Sequence, residues 1–340
     1  MKLMKQRFLG SGSNGTVNLT VEPAGKTEIA VKSAGMENSS SLRREGLFLH
    51  ALRGCPYIVH CFGEDISVEN GEHVVYNLLL EYAPGGTLHD MIEAHGGSMP
   101  ETEVARCTYQ LLRGIHRVHS LGFVHCDLKP DNVLVFPTQR GRNRLKLCNF
   151  GLAKLAGRRN DDYGDYHRGT LLYAPPESLT RWRKRSRRSY EAPKDIWALG
   201  CIVVEMITGK LMWRVGNTDE LTMKISLTKP EIPNHISHSA KHFMKKCLEI
   251  KPRKRWTVEK LLNHPFVRGF AVLGVEEDEG FVNPNDYTPW ISGKDLFGSS
   301  PAYPEAPFRE YVLFPMKDEE DNGCRFKFPC GEDLLKQIYG

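Results

Sequence analysis

The chain has 340 residues, 40% of them apolar and 26% charged, the balance of an ordinary globular protein. That excludes collagen-like, coiled-coil and wholly disordered chains, and the length allows about two domains. The formal net charge of +5 is too mild to argue for nucleic acid or a membrane surface. It hides an asymmetry, because residues 271–340 hold 6 Lys/Arg against 14 Asp/Glu, so a basic body carries an acidic tail. The longest apolar stretch, residues 197–204, falls far short of the ~20 residues a membrane span needs. Residues 1–15 read as a strand running into glycines, not as a secretory signal. The nine cysteines are scattered and form no C-x-x-C pair, which fits a reduced, intracellular protein. Cys324 and Cys330 lack nearby ligand residues, so no zinc site is expected.

In chain order, residues 1–82 read as short strands with one helix. Residues 17–21 alternate with period two, and Ile29-Ala30-Val31-Lys32 is a second strand. Residues 41–53 are helical, with Leu42, Glu45, Leu49 and Leu52 at helical spacing. Residues 73–81, rich in Val and Leu, form another strand. The breaker cluster Ala83-Pro84-Gly85-Gly86 follows, and beyond it helical periodicity dominates. Val104, Cys107, Leu111, Ile115 and Val118 make one apolar stripe, while residues 196–207 are apolar nearly all round, as in a helix buried mid-domain. The expected organisation is an α+β bilobal chain: a β-rich lobe at 1–82, a helical lobe at 83–267 and an acidic tail at 268–340.

Gly10, Gly12 and Gly15 form G-x-G-x-x-G. Glycines let backbone amides approach phosphate oxygens, but alone the pattern also fits a tight hairpin or a dinucleotide loop. The dinucleotide reading needs a helix directly after the loop, and here a strand follows. Lys32 lies on the next strand and Glu45 on the next helix. They are either an ion pair poised for phosphates or two unrelated surface charges.

His125-Cys126-Asp127-Leu128-Lys129-Pro130-Asp131-Asn132-Val133 resembles the catalytic loop of protein kinases, and the resemblance covers residues 7–267. It implies the bilobal kinase fold, ATP and Mg²⁺ as cofactors, and a role for each matching residue. Asp127 would accept the proton of the substrate hydroxyl, and Lys129 would steady the transferred phosphate as in serine/threonine kinases. Lys32, held by Glu45, would bridge the α- and β-phosphates, and Asn132 would hold the metal. Thr170 resembles the threonine that contacts the catalytic Asp and Lys. Glu177 and Arg255 resemble a buried structural pair, and Asp195 the aspartate that bonds the catalytic-loop backbone. Leu80 falls at the gatekeeper position. Backbone groups of Glu81 and Ala83 would bond the adenine edge, with Leu9, Val17 and Ala30 sandwiching its faces; core packing is the alternative for Leu9 and Val17.

Two positions depart from the family pattern. Asn149-Phe150-Gly151 stands where the family has Asp-Phe-Gly, so a neutral amide replaces the metal-binding carboxylate. Cys126 stands where many members have an arginine that pairs with an activation-loop phosphate, so activity independent of that pair is expected. Cys148, beside Asn149, reads as a small buried residue or as a reactive thiol.

The compact form and the His-Cys-Asp-Leu-Lys-Pro string are similar to the short plant members of the mitogen-activated protein kinase kinase kinase group. That resemblance implies a serine/threonine kinase acting on a protein substrate, a MAP kinase kinase, with turnover impaired by Asn149. A pseudokinase scaffold and a nucleotide-binding module are the alternatives. A monomer without nucleic-acid or membrane partners is expected, in the cytoplasm or the nucleus. The basic run Arg181-Trp182-Arg183-Lys184-Arg185-Ser186-Arg187-Arg188 reads as an exposed loop, or as a docking or nuclear-targeting signal. The tail's aromatic residues, Trp290 and Phe314 among them, argue against a pure linker, and the tail and the basic loop are expected to attract each other or to compete for one partner.

Overall fold

A five-stranded antiparallel sheet builds the first lobe. Its strands are β1 (Lys5–Gly12), β2 (Gly15–Val21), β3 (Glu28–Gly35), β4 (Cys61–Glu69) and β5 (His73–Glu81), in the order β1-β2-β3-β5-β4. The computed structural model describes residues 5–12, 15–21, 28–139, 141–156, 169–179, 191–213 and 215–271. The basic run at 181–188, the acidic tail from 272 onward, and the loop residues Ser13 and Asn14 lie outside them.

Period-two alternation divides β3 between two faces. Ile29 and Val31 pack with Leu79 and Phe62 on the outer side. Ala30 and Ala34 join the main core with Leu78 and Leu80, and Lys32 shares their side of the strand. Helix α1 (Ser40–Leu52) covers that inner face, and its stripe of Leu42, Glu45, Leu49 and Leu52 is almost wholly buried. The sheet therefore delivers one lysine and the helix one glutamate into the same apolar layer.

The second lobe begins with α2 (Leu88–Ala94). Its start is fixed by a capping box in which Thr87 and Asp90 satisfy each other's backbone amides. Helix α3 (Glu101–Ser120) buries the expected stripe, from Val104 to Val118, completely. Helix α5 (Ala192–Thr208) is buried from Asp195 through Ile207, as its all-round apolar sequence requires. Between them lie the hairpin β7 (Val133–Pro137) and β8 (Asn143–Leu147), and the short pair β6 (Phe123–Val124) and β9 (Lys154–Leu155). The short helix α4 (Pro176–Leu179) is followed by α6 (Thr218–Leu227), α7 (His238–Cys247) and α8 (Val258–Leu262), which complete the described lobe. No helix among the described residues is long and apolar enough to cross a membrane.

Arg255 ties these parts together. Its guanidinium meets Glu177 through two parallel bonds of 2.6 and 2.7 Å and donates to the carbonyls of Glu249 and Pro193. It also lies over the Trp197 ring at 4.8 Å. Both side chains are at most 5% exposed, so removing one leaves the other charge buried without its partner. Arg255→Ala is expected to cost about 3–5 kcal/mol of stability, read as a lowered urea midpoint. A loss below about 1 kcal/mol, the worth of a surface pair, would contradict this role.

Candidate active site

The loop carrying Asp127 runs from β6 to β7 and is held from below by Asp195. That buried carboxylate accepts from the amides of His125 (2.9 Å) and Cys126 (3.0 Å) and from His119 Nε2 (2.9 Å). Burial alone would raise the Asp195 carboxyl. Its hydrogen bond with His119 and the charges of His119 and His125 outweigh burial and hold it below the ordinary carboxylate range. The anchor has a structural task, because Cys126 sits at φ 70°, a conformation that side chains rarely adopt. Such strain costs on the order of 1–3 kcal/mol and persists only where the surroundings impose it. Here Asp195 imposes it, and the turn aims Asp127 into the cleft.

Asp127 is 8% exposed and almost fully engaged. Its Oδ1 accepts from both the amide (2.9 Å) and the hydroxyl (2.8 Å) of Thr170. Its Oδ2 accepts from Asn132 Nδ2 at 2.9 Å, and the same nitrogen donates to the Asp127 carbonyl at 2.7 Å. A carboxylate offers about four lone-pair sites, so Oδ2 keeps one for an incoming hydroxyl. Thr170 reaches Asp127 because Gly169 lets the backbone pass close by. At φ 103°, a Cβ on Gly169 would lie 2.3 Å from the Cys126 carbonyl oxygen. Thr170 makes no hydrogen bond to Lys129, so only the aspartate half of its expected contact is present among the described residues. Lys129 is half-buried, two residues beyond Asp127.

Across the cleft, Lys32 and Glu45 do form the ion pair left open by the sequence, at 2.6 Å, with 12% and 1% exposure. Lys32 Nζ also donates to Asn149 Oδ1 at 3.0 Å, and Asn149 Nδ2 donates to Asn132 Oδ1 at 3.0 Å. Asn149 occupies the left-handed region at φ 64°, ψ 64°, which asparagine tolerates better than most residues. Glu45, Lys32, Asn149, Asn132, Asp127 and Thr170 thus form one continuous hydrogen-bonded chain joining the two lobes. Cys148, next to Asn149, has its thiol pushed up to about 12 by burial, with the Glu45 charge adding to the rise. It stays protonated at neutral pH, against the reactive-thiol reading.

The roof of the cleft is the β1–β2 hairpin. Gly10 and Gly12 face open space, where a Cβ would meet nothing within 4 Å. Gly15 is different: at φ 121° a Cβ would strike the Ser33 carbonyl oxygen at 2.0 Å, so the start of β2, where it lies against β3, admits only glycine. Val17 pairs with Lys32 and Ala30 with Leu80. Val17, Ala30 and Leu80 belong to or pack on the main core, but Leu9 is 37% exposed, so core packing does not account for it. Glu81 and Ala83 follow Leu80 at the junction between the lobes. The Glu81 carboxylate is taken up by both the Lys146 ammonium, at 2.7 Å to each oxygen, and the His60 amide at 2.5 Å. Those two partners were not legible in the sequence, because each is about 20 or more positions away. The Cys126 thiol makes a long contact to the Val124 carbonyl. Nearby, the buried Lys154 pairs with Glu191 instead.

A β lobe over a helical lobe, with a lysine–glutamate pair facing an anchored aspartate loop, is the architecture of protein kinases. Residues 3–267 match the family described as "Protein kinase domain", and the chain belongs to that family. It is related to "Mitogen-activated protein kinase kinase kinase 20" of Arabidopsis thaliana, at 35% identity over 328 residues, 86% of this chain and 89% of that protein. "Mitogen-activated protein kinase kinase kinase 18" of the same plant is 38% identical, with 78% of each chain covered. "Mitogen-activated protein kinase kinase kinase 17" is 36% identical over 78% of this chain and 70% of its own.

Protein kinase domains in general use ATP with a divalent metal. The oxygens available here for such an ion are the amide oxygens of Asn132 and Asn149. Magnesium is a hard cation usually held through carboxylates and phosphates. Both oxygens are neutral, and each already accepts a hydrogen bond. Among the described residues no group of three or more His, Cys, Asp or Glu could hold a metal ion. This donor set does not fit a dedicated magnesium site.

Proposed function

We propose that the chain transfers the γ-phosphate of ATP to serine or threonine of a protein substrate, a MAP kinase kinase, at a rate held down by Asn149. The observation that supports this most directly is the state of Asp127. It is buried, fixed by Thr170 and Asn132, and left with one lone-pair site for a hydroxyl. A proton acceptor held in this way is what in-line attack on a phosphoryl group asks for. In this reading Lys32, held by Glu45, meets the α- and β-phosphates, and Lys129 faces the transferred group. Gly10, Gly12 and Gly15 cover the phosphates. Leu9, Val17, Ala30 and Leu80 enclose the adenine, with the backbone of Glu81 and Ala83 at its edge. The choice of a MAP kinase kinase rests on the names of the Arabidopsis relatives.

A second reading, a scaffold that binds nucleotide without turnover, is favoured by one observation. Asn149 donates to Asn132, the residue the family uses for metal. Labelled ATP, a MAP kinase kinase lacking its own activity and phosphoamino-acid analysis separate the two. Label on serine or threonine is expected. Label on tyrosine would overturn the specificity, and no label above that of the Asp127→Asn variant would leave the scaffold.

A further inference from the structure

The asparagine amide at 149 has a fixed direction. Lys32 Nζ carries only donors, so the atom of Asn149 that faces it at 3.0 Å must be the oxygen. That turns Nδ2 toward Asn132. At the other end, Asn132 Nδ2 is held by two acceptors of Asp127, the carbonyl and Oδ2. That turns Asn132 Oδ1 toward Asn149. The 3.0 Å gap between the two amides is therefore closed by an N–H donor meeting an oxygen. Flipping the Asn149 amide would set donor against donor at Lys32, and flipping the Asn132 amide would set acceptor against acceptor at Asp127.

The alternative residue makes the consequence clear. An aspartate at 149 would keep one oxygen on Lys32 and point the other at Asn132 Oδ1. Two oxygens without a hydrogen between them repel, and a cation between them relieves the repulsion. With asparagine the amide hydrogen does that work, and the site carries one negative charge fewer. Phosphate oxygens approaching Lys32 then meet less repulsion than they would beside a carboxylate.

We propose that the Asn149 amide takes the place of a bridging divalent cation, so that this cleft binds a nucleoside triphosphate in its metal-free form. The proposal rests on the reading of the cleft as a nucleotide site. It goes beyond that reading by naming the form of the ligand. Lys32 supplies the positive charge, and Asn149 and Asn132 close the site by hydrogen bonding alone. Added Mg²⁺ finds two neutral amide oxygens, each with one lone pair already taken, and no carboxylate between them, so it gives the complex little.

The test uses the full chain and a fluorescent ATP analogue, trinitrophenyl-ATP, titrated in EDTA and again in millimolar Mg²⁺. The expected result is a dissociation constant that changes by less than about threefold between the two buffers. The Asn149→Asp variant is expected to bind at least ~10-fold more tightly with Mg²⁺ than without it. A wild-type chain that binds only with Mg²⁺ overturns the inference and leaves the nucleotide site standing. Failure to bind in either buffer overturns both. If thermal unfolding shows that the variant is not folded, the wild-type comparison decides alone.

Discussion

Asn149→Asp is expected to raise the single-turnover rate of phosphotransfer, at saturating ATP and Mg²⁺, by roughly 10²–10³-fold, the scale of one preorganised electrostatic contact. Shape does not oppose the change, since the two side chains match in size and both tolerate the left-handed backbone at φ 64°. One carboxylate oxygen keeps the bond to Lys32 at no loss, because the ammonium only donates. The other faces Asn132 Oδ1 and creates the charged oxygen pair that the present residues lack. The same substitution has an opposite effect on the resting protein. It removes the N–H bond between residues 149 and 132 and leaves two acceptors facing each other, which costs on the order of 1 kcal/mol at this part-buried site. The variant should therefore unfold at a lower temperature in EDTA and recover in Mg²⁺, whereas the wild-type chain should show little difference. Equal phosphotransfer rates in the two proteins would refute the argument about charge. Equal melting behaviour would refute the argument about the amide bridge.

The contrast with the sequence lies in which kind of information each contact needs. Period-two alternation placed Lys32 on the same side of β3 as Ala30, and helical spacing put Glu45 among three buried leucines. Their meeting at 2.6 Å follows from patterns that are local. Helix α3 and helix α5 were legible for the same reason. Strand β4 was not, because Gly63 and a register shift beside it break the alternation, and its apolar partners come from β5. Helices α6 and α7 carry local signals at their starts. Asn217 caps Glu220 and Ser237 caps Ala240 through side-chain bonds, just as polar residues before short amphipathic runs do. The direction of the Asn149 amide was beyond any local pattern. It is set from Lys32, 117 positions away, and from Asn132, 17 positions away. The sequence identified a lost carboxylate; the placement of the amide hydrogen needed three-dimensional contacts.

Asp127→Asn is expected to lower the turnover number by ~10²–10⁴-fold, the usual worth of a positioned base, while nucleotide affinity changes little. In the proposed reading Asp127 meets the substrate hydroxyl, while Lys32 and the glycines of the first lobe hold the bound nucleotide's phosphates, so kcat and nucleotide binding should part company. The substituted amide cannot satisfy all its present partners. With its oxygen toward Thr170, its nitrogen faces Asn132 Nδ2, which is a donor too. Asn132 must then turn, and its bridge to Asn149 opens. Wild-type turnover is expected to be slow, so the loss is best read in the Asn149→Asp background, where the starting rate is high enough to measure a large fall. There the bridge between residues 149 and 132 is already gone, so its opening no longer adds to the effect. Turnover that survives Asp127→Asn in that background within about tenfold would remove Asp127 from the chemistry.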